Sequence, residues 1–167
     1  LEIDRGARRV VTSQGQLDYD FLVIAAGIRY GYEAWFGNDR RAADATRARF
    51  PAAYVPNAEH VALKRALHGF KGGDWVMNLP PPPQRCPPSP YERACLVANY
   101  FKQSKPKSKV IILDANEDVM SKKGLFTKAW ADLYKGIIEY RNNSEVKDVE
   151  ADTNTAVLEF DKFKADV

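Results

Sequence analysis

Seven of the eleven residues from Pro80 to Pro90 are proline, and Arg85 and Cys86 sit in their midst. Proline fixes φ near about −65° and has no N–H, so this stretch can be neither a helix interior nor a central strand. It must be a stiff loop. A strand-like run, Trp75-Val-Met-Asn-Leu79, enters it, and a helix-like run from Tyr91 to Phe101 leaves it. In a dinucleotide-binding βαβ unit, this strand–loop–helix position carries a glycine-rich turn whose free N–H groups hold a pyrophosphate. Prolines offer almost no such donors. The sequence therefore predicts the scaffold of a dinucleotide unit with a rigid cysteine loop in place of the phosphate cradle.

The flanking pattern extends that scaffold. Asn57 can cap a helix running to about His68, with Val61, Leu63, Ala66, Leu67 and Phe70 as its apolar residues, and Lys71–Asp74 make a turn into the strand. After the loop, Ala94, Val97, Ala98 and Phe101 share one face of a helix reaching about Ser104. Lys109–Asp114 is a strand with an acid at its end. A helix over roughly 122–135 carries Leu125, Phe126, Ala129, Trp130 and Leu133, and residues 136–140, 145–150, 155–160 and 163–167 read as strands. The order β-α-β-α-β plus a β-meander predicts an α/β fold, a Rossmann-like domain over 57–167.

Upstream, Arg9–Thr12 and the residues from Leu17 flank a Ser13–Gln16 turn as a β-hairpin, and Tyr19–Gly27 continues as a short buried strand. Residues 29–56 lack periodicity and read as a surface connection, with Arg40, Arg41, Arg47 and Arg49 as a solvated face. Segment 1–56 thus reads as an incomplete hairpin-and-strand portion of another domain. The chain starts at Leu1 without an initiator Met and ends in strand-like alternation, the expectation for an internal piece of a longer protein.

Composition narrows the function classes. A net charge of +3, with no nucleic-acid motif, argues against DNA or RNA, and no apolar run approaches the roughly 20 residues of a membrane span. Two cysteines and two histidines give neither a disulfide framework nor a zinc spacing, so no metal centre is expected.

Cys86 is the leading candidate site. Arg85 beside it, and the positive end of the helix starting near Ser89–Tyr91, both favour thiolate over thiol. The competing reading is a loop cysteine with no task, or one merely buried. Cys95 reads as a helix-packing residue, and a bridge to Cys86 would need the loop to fold back. Glu92 suits the helix dipole, and near a thiolate or a flavin it could also carry protons. Asp114 stands where Rossmann units place the ribose-binding acid, but without the glycine turn it reads as a relic or a surface acid. His60 and His68 read as surface residues.

Two segments carry a family resemblance. Tyr19-Asp-Phe-Leu-Val-Ile-Ala-Ala-Gly-Ile28 resembles the strand of two-dinucleotide-domain flavoproteins that passes close to FAD. Arg85-Cys-Pro-Pro-Ser-Pro-Tyr-Glu-Arg-Ala94 resembles the cysteine loop of the flavin subunit of flavocytochrome c sulfide dehydrogenase, and Lys105–Asp114 and Ser121–Tyr134 are also similar to that subunit. The resemblance implies a periplasmic FAD enzyme that oxidises sulfide and passes electrons to a cytochrome c subunit. It implies that Cys86 pairs with a second cysteine from a later segment as a redox disulfide, that Glu92 accepts a proton, that Arg85 helps hold the thiolate, and that Ala26, Gly27 and Ile28 line the cofactor. Hydrosulfide would attack the disulfide, leaving a persulfide and a thiolate that passes two electrons to the flavin as the disulfide is restored. Ser89 departs from the usual glycine of the motif. The Gly-rich FAD fingerprint is expected before Leu1 and the second cysteine after Val167, so this stretch alone is expected to be inactive, its orphan sheet edge free to pair with a second copy as a homodimer.

Three alternatives stay open. A sulfide:quinone oxidoreductase shares the sulfur chemistry but needs a membrane-facing amphipathic end. An NAD(P)H-dependent flavoprotein disulfide reductase needs a glycine turn at 80–90. A non-catalytic module would present the prolines to an aromatic groove, but these prolines lie between a strand and a helix rather than in a linker.

Overall fold

The computed structural model describes residues 1–166. Three short strands, β1 (Glu2–Asp4), β2 (Arg9–Thr12) and β3 (Gly15–Asp18), form an antiparallel meander, with Arg9 and Asp18 paired across the hairpin. Two short helices follow, α1 (Glu33–Phe36) and α2 (Arg40–Arg49), then α3 (Ala58–Gly69), β4 (Gly73–Leu79), α4 (Ser89–Ser104), β5 (Ser108–Asp114), α5 (Lys123–Leu133) and β6 (Ile138–Arg141). The last three strands are β7 (Asp148–Glu150), β8 (Thr155–Val157) and β9 (Lys162–Lys164). Strands β4, β5 and β6 form a parallel sheet in that order, and β7, β8 and β9 an antiparallel one. The Rossmann-like α/β unit expected from the sequence is present, meander included.

Both faces of the parallel sheet are covered, which explains why β5 reads Val-Ile-Ile-Leu without polar interruption. On one face Trp75, Leu79, Val110 and Ile112 pack under Tyr91, Ala94, Val97, Ala98 and Phe101 of α4 and Phe126 and Trp130 of α5. On the other, Ile111 and Leu113 pack with Val146, Trp35, Val149, Ala156 and Phe163. Helices, parallel sheet and antiparallel meander make three layers. Gly73 marks a close approach between two of them: its φ is +107°, and a Cβ there would fall 2.1 Å from Asp166 Oδ2. That carboxylate accepts from Asp74 N at 2.9 Å and the Asp166 N–H donates to Asp74 O at 3.1 Å, tying the chain's last described residues to the start of β4.

Several sequence expectations are corrected. Tyr19–Gly27 is not a buried strand: residues 21–29 are exposed and pair with no strand, and a β-strand needs a ladder to satisfy its backbone. Residues 29–56 are not an unstructured connection. Trp35 of α1 donates from Nε1 to Val146 O at 2.8 Å, and Arg49, the last residue of α2, donates from Nε to Asn154 Oδ1 at 2.8 Å. Arg47 is no solvated charge either, since it pairs with the buried carboxylate of Glu59. Within the helices, Val61, Leu125 and Leu133 face solvent rather than the core. The expected strands at 145–150, 155–160 and 163–167 are shorter, and Val167 lies outside the described residues.

Candidate functional site

The proline loop leaves the end of β4 and enters α4 at Ser89, with Pro88 at the cap and Pro90 inside the first turn, positions that need no proline N–H. Few bonds hold the loop itself. Gln84 Nε2 donates to Pro80 O at 2.7 Å, and the Ser89 N–H donates to Cys86 O at 3.1 Å, so Cys86 opens the tight turn that starts α4. Cys86 is a free, exposed thiol, which settles its burial: it is not a packing residue. Cys95 is also free, but it sits half-buried along α4 facing Trp130. Burial pushes the Cys95 thiol up, against a weaker opposing pull from the Trp130 indole N–H, so it is a poor source of thiolate.

Arg85 and the segment around Gly27 come together. The Arg85 guanidinium donates to Gly27 O at 3.5 Å, so the exposed Ala26-Gly27-Ile28 stretch lies beside the cysteine loop although 58 positions separate them. The contact of Arg85 is with this carbonyl. Gly27 has φ +76° and open space where a Cβ would point. Among the described residues, the N–H groups from Phe21 to Ile28 donate to no protein group. Free backbone donors, a residue without a side chain and an adjacent cationic arginine would suit an anionic group approaching this backbone. Glu92 is exposed in the first turn of α4, without a side-chain partner among the described residues. No group of three His, Cys, Asp or Glu among the described residues is placed to hold a metal ion.

Asp114 is not the surface acid the sequence suggested. It is fully buried at the end of β5. Its Oδ2 accepts from Tyr91 Oη at 2.7 Å and Tyr140 Oη at 3.0 Å, and its Oδ1 accepts from Asn116 N at 2.9 Å and Asn116 Nδ2 at 2.6 Å. Four donors satisfy both oxygens, which is what makes a buried carboxylate tolerable. Tyr91 in turn accepts from Met120 N at 3.2 Å. Burial, with a further push from Asp114, raises Tyr91 to about 12 against the opposing Met120 N–H, and Tyr140 is raised further for the same two reasons. A second cluster escaped the sequence reading as well. Glu59 accepts from Tyr30 Oη at 3.0 Å and Ala53 N at 3.1 Å, and Arg93 of α4 donates to Ala52 O and Ala53 O while lying 3.9 Å over the Tyr54 ring. The one available signal was Tyr91 directly after Pro90 with an acid at the end of the next strand; nothing local marked Tyr30 and Glu59 as neighbours.

No helix among the described residues is long and apolar enough to cross a membrane. Residues 60–167, well over half of the chain, match the family of the central part of the flavoprotein chain of sulfide dehydrogenase [flavocytochrome c].

Proposed function

Since the chain belongs to the family of flavoprotein chains of flavocytochrome c sulfide dehydrogenase, we propose that it serves sulfide oxidation, with Cys86 as the reacting sulfur, FAD as the cofactor and a cytochrome c subunit as the electron acceptor. The observation that carries this reading is the exposed Cys86 thiol on a nearly donor-free loop beside the free backbone of Ala26, Gly27 and Ile28. The prolines limit what the sulfur can sample, so little ordering is left for the moment of reaction. The site would be periplasmic, where a cysteine pair can persist oxidised.

The chain's own part in the chemistry follows from thiol–disulfide exchange. Hydrosulfide attacks the disulfide that Cys86 forms with a second cysteine of a later segment; the S–S bond breaks, one sulfur carries the persulfide and the other leaves as thiolate. Glu92, exposed one helical turn into α4, accepts the proton that hydrosulfide gives up. Arg85 holds the Gly27 backbone against the loop and sets a positive charge near the departing thiolate. A further hydrosulfide takes the outer sulfur of the persulfide away as a disulfide anion, leaving both cysteines as thiolates. The backbone of Ala26, Gly27 and Ile28 would line the FAD, which when bound would supply the acceptor for the two electrons released as the cysteines re-form their disulfide.

The test is Cys86→Ser in the flavin-loaded protein assembled with its cytochrome. Sulfide-dependent cytochrome reduction should fall by about 10³-fold or more while flavin content is unchanged. Retained turnover would remove Cys86 from the chemistry. Rapid flavin reduction by NAD(P)H in the wild type would instead support the disulfide-reductase alternative.

A further inference from the structure

The two ends of the proline loop are fastened to adjacent residues, one to Ala115 and the other to Asp114. Leu79, the last residue before the loop, accepts at its carbonyl from Ala115 N at 3.0 Å. Tyr91, the first residue after the loop, donates its hydroxyl to Asp114 Oδ2 at 2.7 Å. Between these anchors, Pro80–Pro90 make almost no hydrogen bonds of their own, because most lack an N–H. The position of Cys86 is therefore set from outside the loop. Asp114 and Ala115 are held in turn: Asn116 closes on Oδ1 through two donors, Ser144 N donates to Asp114 O at 2.7 Å, and the surrounding strand residues Val110–Leu113 are wholly buried.

We propose that Asp114 is a positioning residue for the cysteine loop: its buried carboxylate, at the strand end that in a nucleotide-binding unit would face a ribose, clasps Tyr91 and so fixes where Cys86 is presented. This rests on the reading of Cys86 as the reacting sulfur. The same bonds close Asp114 to any outside ligand, since a ribose hydroxyl would have to displace two tyrosines and an asparagine from a site with no exposure.

Tyr91 and Tyr140 provide an internal control, because both donate to Oδ2 but only Tyr91 is joined to the loop. The experiment follows native-state tryptic cleavage of the Arg85–Cys86 bond in the full chain, with cleavage after Lys128 in α5 as the reference for global opening. Tyr91→Phe and Asp114→Asn should each accelerate the Arg85–Cys86 cut about tenfold relative to the reference, the population change expected when one buried hydrogen bond is lost. Tyr140→Phe should accelerate both cuts together. In the flavin-loaded complex, Tyr91→Phe should lower kcat with KM unchanged, whereas Tyr140→Phe should leave both within about twofold. Equal, proportionate acceleration of both cuts by all three variants would overturn the clasp, as would an undisturbed loop in Asp114→Asn. Failure of the underlying reading shows separately: Cys86→Ser would keep turning over sulfide while the difference between Tyr91→Phe and Tyr140→Phe in cleavage persisted, leaving the clasp as the loop's anchor.

Discussion

Glu59 shows how much one buried side chain can decide. Burial alone would raise its pKa, but the Arg47 guanidinium, the Ala53 N–H and the Tyr30 hydroxyl outweigh that and hold it below its ordinary 4.5. A depressed folded value stabilises the protein above pH 4.5, and that contribution disappears as pH falls through the folded value. Glu59→Gln should cost about 2 kcal/mol at neutral pH, the scale of a buried charged hydrogen bond, and should flatten the acid limb of stability below pH 4.5, read by denaturant melts across pH. Tyr91 titrates in the opposite sense. Its raised value, about 12, favours the neutral hydroxyl in the fold, so its stabilisation is complete below pH 10 and lost as pH climbs towards 12. Tyrosinate absorbance should show Tyr91 and Tyr140 ionising only with unfolding, and Tyr91→Phe should weaken that alkaline transition. Cys86 and the clasp on Tyr91 belong to this scale too: the sulfur could be named from its neighbours, whereas its anchor could not.

Among the elements, α4 was the most legible, because its 3.6-residue apolar face survives in the structure as Ala94, Val97, Ala98 and Phe101 against the sheet. Ala94 and Ala98 are fully buried where α4 lies on β4–β6, so Ala98→Leu should destabilise by about 1–3 kcal/mol through overpacking. Helices α3 and α5 lie where the sequence predicts them, but Val61 and Leu125 face solvent: apolar residues at the margin of an amphipathic stripe are decided by what packs opposite. Gly73 belongs to the junction between β4 and the terminal segment. Gly73→Ala should cost about 1–3 kcal/mol from its left-handed backbone and the Asp166 clash together, and exchange of the amides in β7–β9 should rise more than that of β5. Uniform exchange across both sheets would show that the carboxylate simply moves aside.

At the scale of the whole molecule, the three layers leave one apolar run uncovered. Phe21 is 94% and Val23 86% exposed. Side chains that touch nothing add nothing to stability, so Phe21→Ser with Val23→Ser should leave stability within about 0.5 kcal/mol and the melting temperature nearly unchanged while lowering binding of a hydrophobic dye. A large drop in melting temperature would mean that the run is covered in solution.

What the sequence determined by itself was local. Prolines forbid regular structure, alternation and 3.6-residue periodicity place strands and helices, and an unbroken Val-Ile-Ile-Leu run demands cover on both faces; these depend on residues close in the chain. The strand reading of Tyr19–Gly27 failed for the complementary reason, since a strand exists only with a partner and partnership is not written in the segment. Tertiary structure alone decided that Gly27 lies by Arg85, that Glu59 receives Tyr30 and Arg47, and that the acid ending β5 is sealed beneath two tyrosines from different elements. Each joins groups far apart in the chain whose meeting is fixed by layer packing, and burial, which decides what a carboxylate can do, is a property of that packing.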